Sequence, residues 1–271
     1  MRLLLTAALL IASPLLQALE LTPYTASYHF NLDNKLTGTA TRILENTGNN
    51  TWRYTFTATT PMATATETSN FRFDGKTVTP VHYKRQHKVL FISKHAEVGF
   101  DWKTRQATTR RDEKKAFYTL KSGAVDPLNF EVQMRRDMID LGKLAKSYLV
   151  ADPKRMREQK FVVDGNETIE TPYGKINTVR IKRLHDDPER HTTFWLARDM
   201  NFIPAKVIQD DDGAVYVLQL SGLTGAMAKS EKAADAGAGA QAFWRFAALC
   251  GDRADLPLCR CLRGGGWGGS A

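Results

Sequence analysis

Apolar and polar residues alternate along most of the chain with a period of two. Tyr24, Ala26, Tyr28 and Phe30 fall on one side of an extended segment, and Thr25, Ser27 and His29 on the other. That is the pattern of a strand with one face in a core. Trp52, Tyr54, Phe56 and Ala58 repeat it against Arg53, Thr55 and Thr57. Residues 31–35 and 46–50 are rich in Asn, Asp and Gly and separate these runs as turns. Further strands are predicted at residues 37–44, 67–73, 77–86, 88–92, 96–102, 106–111 and 117–120. Pro80, inside one of these runs, marks an edge or a bulge. Residues 60–65 read as a loop or a short helix. Later strands are expected at residues 145–150, 160–170, 176–184, 191–196, 203–209 and 214–220, the last two joined by a hairpin with Asp212-Gly213 at its tip.

Helical spacing takes over in one place. Asp126 is placed as a cap and Pro127 at the first helical position of a helix running to about residue 138 or 140. Leu128, Val132, Arg135 and Ile139 share a face, with Met134 and Met138 beside it. A second, short helix is expected near residues 240–249. A long antiparallel meander with one amphipathic helix must lay that helix against a face of the sheet.

Composition sets the frame around this pattern. The chain has 271 residues, 42% hydrophobic and 25% charged, enough for a sizeable core. Arg2, the apolar residues 3–12, the breaker Ser13-Pro14 and the small Ala18 read as a secretory signal peptide over residues 1–18. The β-rich domain then spans residues 19–225, and residues 226–271 read as a low-complexity, disordered or weakly ordered tail. Export to the periplasm is the expectation. It removes nucleic acid as a partner, although a net charge of +9 alone would allow one. Cys250, Cys259 and Cys261 all lie in the tail, so the body relies on its core rather than on disulfides.

Catalytic and metal-binding patterns are sparse. There is no Gly-x-Ser-x-Gly, His-Glu-x-x-His or phosphate loop. His82 and His87 fall on opposite faces of one strand, so no metal site is assigned, and no cofactor is expected. His185, Asp186, Asp187 and His191 bracket a turn; a hydrolase using Asp186, Asp187 and His191 is a third-ranked reading, because no nucleophile stands beside them. The basic residues Lys84, Arg85, Lys88, Arg110 and Arg111 lie on neighbouring strands. They either gather into a positive face for an anionic membrane surface or an acidic glycan, or form a solvated face that guards strand edges.

Three stretches carry a family resemblance: residues 126–135, which read Asp-Pro-Leu and end in Arg; residues 171–176, Thr-Pro-Tyr-Gly-Lys-Ile, continuing to Arg180; and Thr193-Phe194-Trp195-Leu196-Ala197 with Pro204 following. In this order and spacing they resemble the DUF3108 family of exported bacterial proteins, with Asn129 standing where a Ser is common. The strand-rich plan of that family is similar to the periplasmic lipoprotein carriers. The resemblance implies a mainly β fold, a curved antiparallel sheet or half-open barrel with one or two helices against the concave face. It also implies an apolar groove. Trp52, Phe56, Trp102, Phe130, Met134 and Trp195 are the candidates to line it, although the same residue types serve as plain core. Arg135 is the candidate polar contact, as a ligand anchor or as a structural partner of Asp126 or another carboxylate. The expected function is a non-enzymatic periplasmic binding or carrier protein for an amphiphilic, lipid-like ligand. The alternative is a cell-envelope assembly or scaffold protein that binds a protein partner through exposed strand edges.

Overall fold

The computed structural model describes residues 21–33 and 35–225. The expected leader (residues 1–18), the tail (residues 226–271) with its expected helix, and all three cysteines lie outside the described residues. Alternation of inward and outward side chains builds fourteen strands: β1 Tyr24–Leu32, β2 Leu36–Gly48, β3 Thr51–Thr59, β4 Ala63–Phe73, β5 Val78–Val89, β6 Ile92–Asp101, β7 Gln106–Arg111 and β8 Lys114–Thr119 before the helix; β9 Tyr148–Ala151, β10 Met156–Thr171, β11 Gly174–Leu184, β12 Arg190–Ala197, β13 Ile203–Asp211 and β14 Ala214–Gly225 after it. They form one antiparallel sheet in the order β8-β7-β6-β5-β4-β3-β2-β1-β14-β13-β12-β11-β10-β9. The chain thus meanders outward from β1 to β8, crosses over, and meanders back from β9 to β14. The pairing of β1 with β14 joins the two halves.

The sheet curves but does not close, as the mainly β, half-open expectation had it. Its outer strands β8 and β9 approach without pairing. Residues 121–129 fill the seam: Val125 bridges Val150 in β9 in parallel, and Tyr118 of β8 donates a hydrogen bond to the Asp152 carbonyl (2.8 Å). These bonds satisfy part of the open edge that would otherwise be left unpaired. From the seam the chain enters α1, Phe130–Leu141, which lies in the concavity and ends at Gly142 in a left-handed conformation (φ 64°). Val132, Met134 and Phe130 of α1 join Tyr28, Tyr54, Phe56, Phe71 and Tyr83 of the sheet in a single core.

Several local expectations change. Asp126 does cap, but one turn early: its carboxylate accepts the amides of Leu128 (2.8 Å) and Asn129 (2.7 Å), and regular helix starts only at Phe130. Pro127 therefore opens a preparatory turn rather than the helix. Residues 63–65 belong to β4, because only residues 60–62 are needed to turn the chain. The runs 77–86 and 88–92 are not two strands. β5 continues to Val89, and the chain reverses at Leu90 and Phe91, where no Gly or Asn signals a turn. The Pro80 irregularity is a bulge, with the β4–β5 register shifting between Asn70 and Phe71.

Candidate functional site

The inward face of the sheet carries polar residues in cross-strand rows. Tyr24, Leu44, Tyr54, Ser69 and Tyr83 make one row across β1 to β5, and Ala26, Arg42, Phe56, Glu67 and Arg85 make the next. The segment leading through α1 presents its own polar groups to these rows. Ser69 donates to the Asp126 carboxylate (2.5 Å), Tyr54 to the Glu131 carboxylate (2.6 Å), and Arg135 to the Tyr24 hydroxyl (2.8 Å). Tyr24 in turn donates to Tyr54 (3.1 Å). Arg42 pairs with Glu131, and its guanidinium sits 5.0 Å from the Phe56 ring centre. Helix and sheet are therefore docked by a buried relay, Arg135 to Tyr24 to Tyr54 to Glu131, with Arg42 on the same carboxylate. Burial pushes the Tyr54 hydroxyl well above its ordinary pKa. It also raises Asp126 to about 7, against the opposing pull of Ser69 and the two amides.

A second polar concentration opens to solvent at the seam. The sheet end where β10 and β12 begin and β11 finishes changes, along the inward positions, from aromatic to cationic. Phe161 is followed toward the rim by Gln159 and Arg157, Ile181 by Arg183, and Phe194 by Thr192 and Arg190. With Glu67, Tyr83 and Arg85 across the gap, these residues except the core residue Ile181 line a cleft of ≈ 60 Å³ whose floor is Phe130, Phe161 and Phe194. Phe130 stacks on Phe161 at 5.7 Å between ring centres, and Phe194 meets both edge-on. Around the mouth, Arg157 pairs with Asp152 (2.5 Å) and Arg190 with Asp211 (2.7 Å). Arg183 has neither ion pair nor hydrogen bond among the described residues, and its Nε is shut off from solvent. Desolvation, then repulsion from Arg157 and Arg190, lowers its pKa to about 10. The same field, after burial, holds the neighbouring His185 at about 4.

A desolvated guanidinium with two further guanidiniums nearby and an aromatic floor beneath is arranged to take an anion that carries apolar surface. Glu67 opposite is held by the Tyr83 hydroxyl (2.5 Å); burial raises its pKa and Arg85 opposes the rise.

The model of a family described as proteins of unknown function, DUF3108, matches residues 23–220. The chain belongs to the DUF3108 family. No curated protein matches it. Among solved structures, this DUF3108 fold is similar to a β-barrel-like protein of domain of unknown function DUF1849 from Brucella abortus. The TM-score is 0.50 and the identity 15%, covering 75% of this chain and 97% of that one. At that identity the likeness concerns the fold.

Within this DUF3108 domain the predicted site residues scatter. Phe130 lines the cleft, and so does Arg85 from the basic group. Trp52, Phe56 and Met134 are packed in the core, which leaves no open apolar groove at their positions. Trp102 stacks on Phe100 and donates to the Pro80 carbonyl (2.7 Å). Trp195 lies on the opposite face of β12 from Phe194, donating to Glu167 (3.0 Å) with the Lys206 ammonium over its ring. Arg135 is a buried structural group bonded to Tyr24 and to the Asn201 carbonyl (3.0 Å), whereas Asp126 turns to Ser69. The pleat divides the basic group. Lys84, Lys88 and Arg110 share the outward parity of their strands, Arg85 and Arg111 the inward one, and Glu97 stands between Lys84 and Arg110 in register. Among the described residues no cluster of His, Cys, Asp and Glu is arranged to hold a metal.

Arg157, Arg183, Arg190 and Phe161 were not singled out from sequence, and Phe194 entered only with the family resemblance, not as a site residue. A signal for them exists: Ile181-x-Arg183 and Arg190-x-Thr192-x-Phe194 place cations at inward positions of an alternating pattern, where a packed core would put Val or Leu.

Proposed function

We propose that this protein binds the anionic end of an amphiphile in the seam cleft, as a periplasmic binding or carrier protein. The observation that carries the reading is Arg183: an inward guanidinium that makes no hydrogen bond or ion pair among the described residues, crowded by Arg157 and Arg190 more than it is drawn by Asp186 and Asp152, above three phenylalanine rings. A carboxylate or phosphate placed there gains charge-assisted hydrogen bonds and relieves the repulsion among the three cations. The enclosed ≈ 60 Å³ accepts the charged group and little more, since sites for whole small ligands span roughly 300–1,000 Å³. An attached acyl chain enters over Phe130 when the Pro127 turn and the turn at residues 152–154 part. These two segments are the lips of the cleft. The periplasmic assignment rests on the leader pattern of residues 1–18.

Calorimetric titration with dodecyl phosphate and with inorganic phosphate tests the reading. Dodecyl phosphate is expected to bind the wild-type protein more tightly than phosphate does, because only it engages the aromatic floor. Arg183→Gln is expected to lose at least about tenfold in affinity for it. Undiminished binding by the folded Arg183→Gln protein would remove the basis of the proposal.

A further inference from the structure

One end of the sheet carries an apolar projection that neither the core nor the cleft uses. The β5–β6 hairpin turns through Leu90 and Phe91, closed by the Val89–Ile92 pair. Phe91 is 99% exposed, Leu90 57% and Ile92 52%. The β3–β4 turn lies alongside, its Met62 carbonyl accepting the Leu90 amide (2.9 Å), and Met62 itself is 51% exposed. Four large apolar side chains thus stand together at two adjoining tips.

Turn chemistry does not account for them. Leu90 holds a positive φ of 51°, a conformation in which Asn or Gly is favoured and Leu strained. Neither side chain serves the turn, so both face water at a cost.

The surroundings point to one kind of partner. Lys88 flanks the tip on the exposed side and Lys94 on the returning strand. The adjacent β7–β8 turn adds the exposed Arg111 and Lys114 beside Asp112 and Glu113, and the Asp112 carboxylate is engaged by the His95 amide (2.9 Å). The four apolar side chains of the two tips do not by themselves reach the roughly 800 Å² per partner of a stable protein interface. A narrow apolar tip with a cationic collar does suit the boundary between headgroups and acyl chains of an anionic bilayer.

We infer that the Leu90–Phe91 hairpin, with Met62 and Ile92, is a peripheral docking point for an anionic phospholipid surface. The antiparallel order gives this a geometric consequence. β5 ends and β6 begins at the same end of the sheet at which β9 ends, β10 begins and β11 ends, so the tip and the mouth of the cleft share one rim. A bilayer held by the tip faces the cleft mouth. The inference stands without the ligand proposed above, and its test uses none.

The test is co-sedimentation of the full chain with vesicles of phosphatidylethanolamine and phosphatidylglycerol, beside vesicles of phosphatidylcholine alone. The wild-type protein is expected to sediment with the phosphatidylglycerol vesicles, less so at high salt. The double variant Leu90→Gly, Phe91→Asn puts glycine at the positive-φ position and a polar turn residue after it, so it folds at least as well by circular dichroism. It is expected to lose roughly tenfold or more in vesicle affinity. Lys88→Glu is expected to weaken binding to phosphatidylglycerol vesicles and leave the phosphatidylcholine result unchanged. Absence of wild-type binding overturns the inference, and so does equal binding by the double variant. A tip-dependent dimer in sedimentation equilibrium, without vesicle binding, overturns it in favour of a second copy of the chain.

Discussion

Changing Glu131 to Gln removes one negative charge from the place where helix and sheet meet, with almost no change in shape or helix propensity. In the wild-type protein this carboxylate pairs with Arg42 and accepts from Tyr54 at 2.6 Å, and Arg135 reaches the same relay through Tyr24. All four partner side chains are buried. The neutral amide of the variant would leave two buried guanidiniums without a carboxylate between them. Breaking a buried pair from one side costs about 3–5 kcal/mol. Loss of a favourable charge in the first helical turn adds roughly 0.3–1 kcal/mol. The converse change, Arg42→Met, leaves Glu131 with its Tyr54 bond and with Arg135 as a neighbouring cation, and its side chain can fill the space over Phe56. It is expected to be at least about 1 kcal/mol milder. Removing both charges, as Arg42→Met with Glu131→Leu, should cost less than Glu131→Gln alone, because no ion is left stranded. Urea unfolding at neutral pH, followed by tryptophan fluorescence and circular dichroism, measures all three. A Glu131→Gln protein within about 1 kcal/mol of wild type, or a double variant less stable than Glu131→Gln, would refute the view that charge balance locks the helix to the sheet.

Other consequences follow from the same structure. Arg183→Met should raise stability in the absence of ligand by about 1 kcal/mol in urea unfolding, because it removes a desolvated cation repelled by Arg157 and Arg190, while abolishing binding of dodecyl phosphate. Asp126 has a folded pKa raised to about 7. Its contribution is therefore full below its ordinary value of about 4, declines as pH rises toward 7, and is constant above that. Urea melts across this range should show Asp126→Asn gaining on wild type by a few kcal/mol as pH rises, and a flat difference would contradict the assignment. His87, lowered to about 4 chiefly by burial, acts in the opposite sense. Its stability contribution is present above about pH 6.5 and lost as pH falls through 4, so His87→Phe should resist acid better than wild type. Gly225 has a φ of +103°, and an added Cβ would lie 2.7 Å from the Pro23 carbonyl oxygen. Gly225→Ala should lower the thermal midpoint, by an amount corresponding to about 1–3 kcal/mol.

Much of the architecture was legible because it is a matter of period. Tyr24-x-Ala26-x-Tyr28-x-Phe30 can bury one face only as a strand, and the Asn- and Gly-bearing turns fix where such strands end. The helix was legible for the same kind of reason, since Asp126 and Pro127 announce it and its apolar residues recur at helical spacing. The Leu90–Phe91 reversal was not, because its residues carry no turn chemistry and continue the apolar run on either side.

Partnership is what only the tertiary structure decided. Alternation tells that Tyr54, Ser69 and Tyr24 point inward, but not that Glu131, Asp126 and Arg135 come to meet them from 57 to 111 positions away along the chain. The tryptophans prominent in the sequence proved to be packed or outward-facing. The cleft instead gathers residues from β4, β5, α1 and β9 to β13 that are individually ordinary. Sequence periodicity is a local property, set by steric alternation within a strand, so it fixes which face each side chain takes. Which charges meet across that face depends on strand order, register and the curvature that brings β8 and β9 to one seam. Those are settled by burying the whole apolar surface at once.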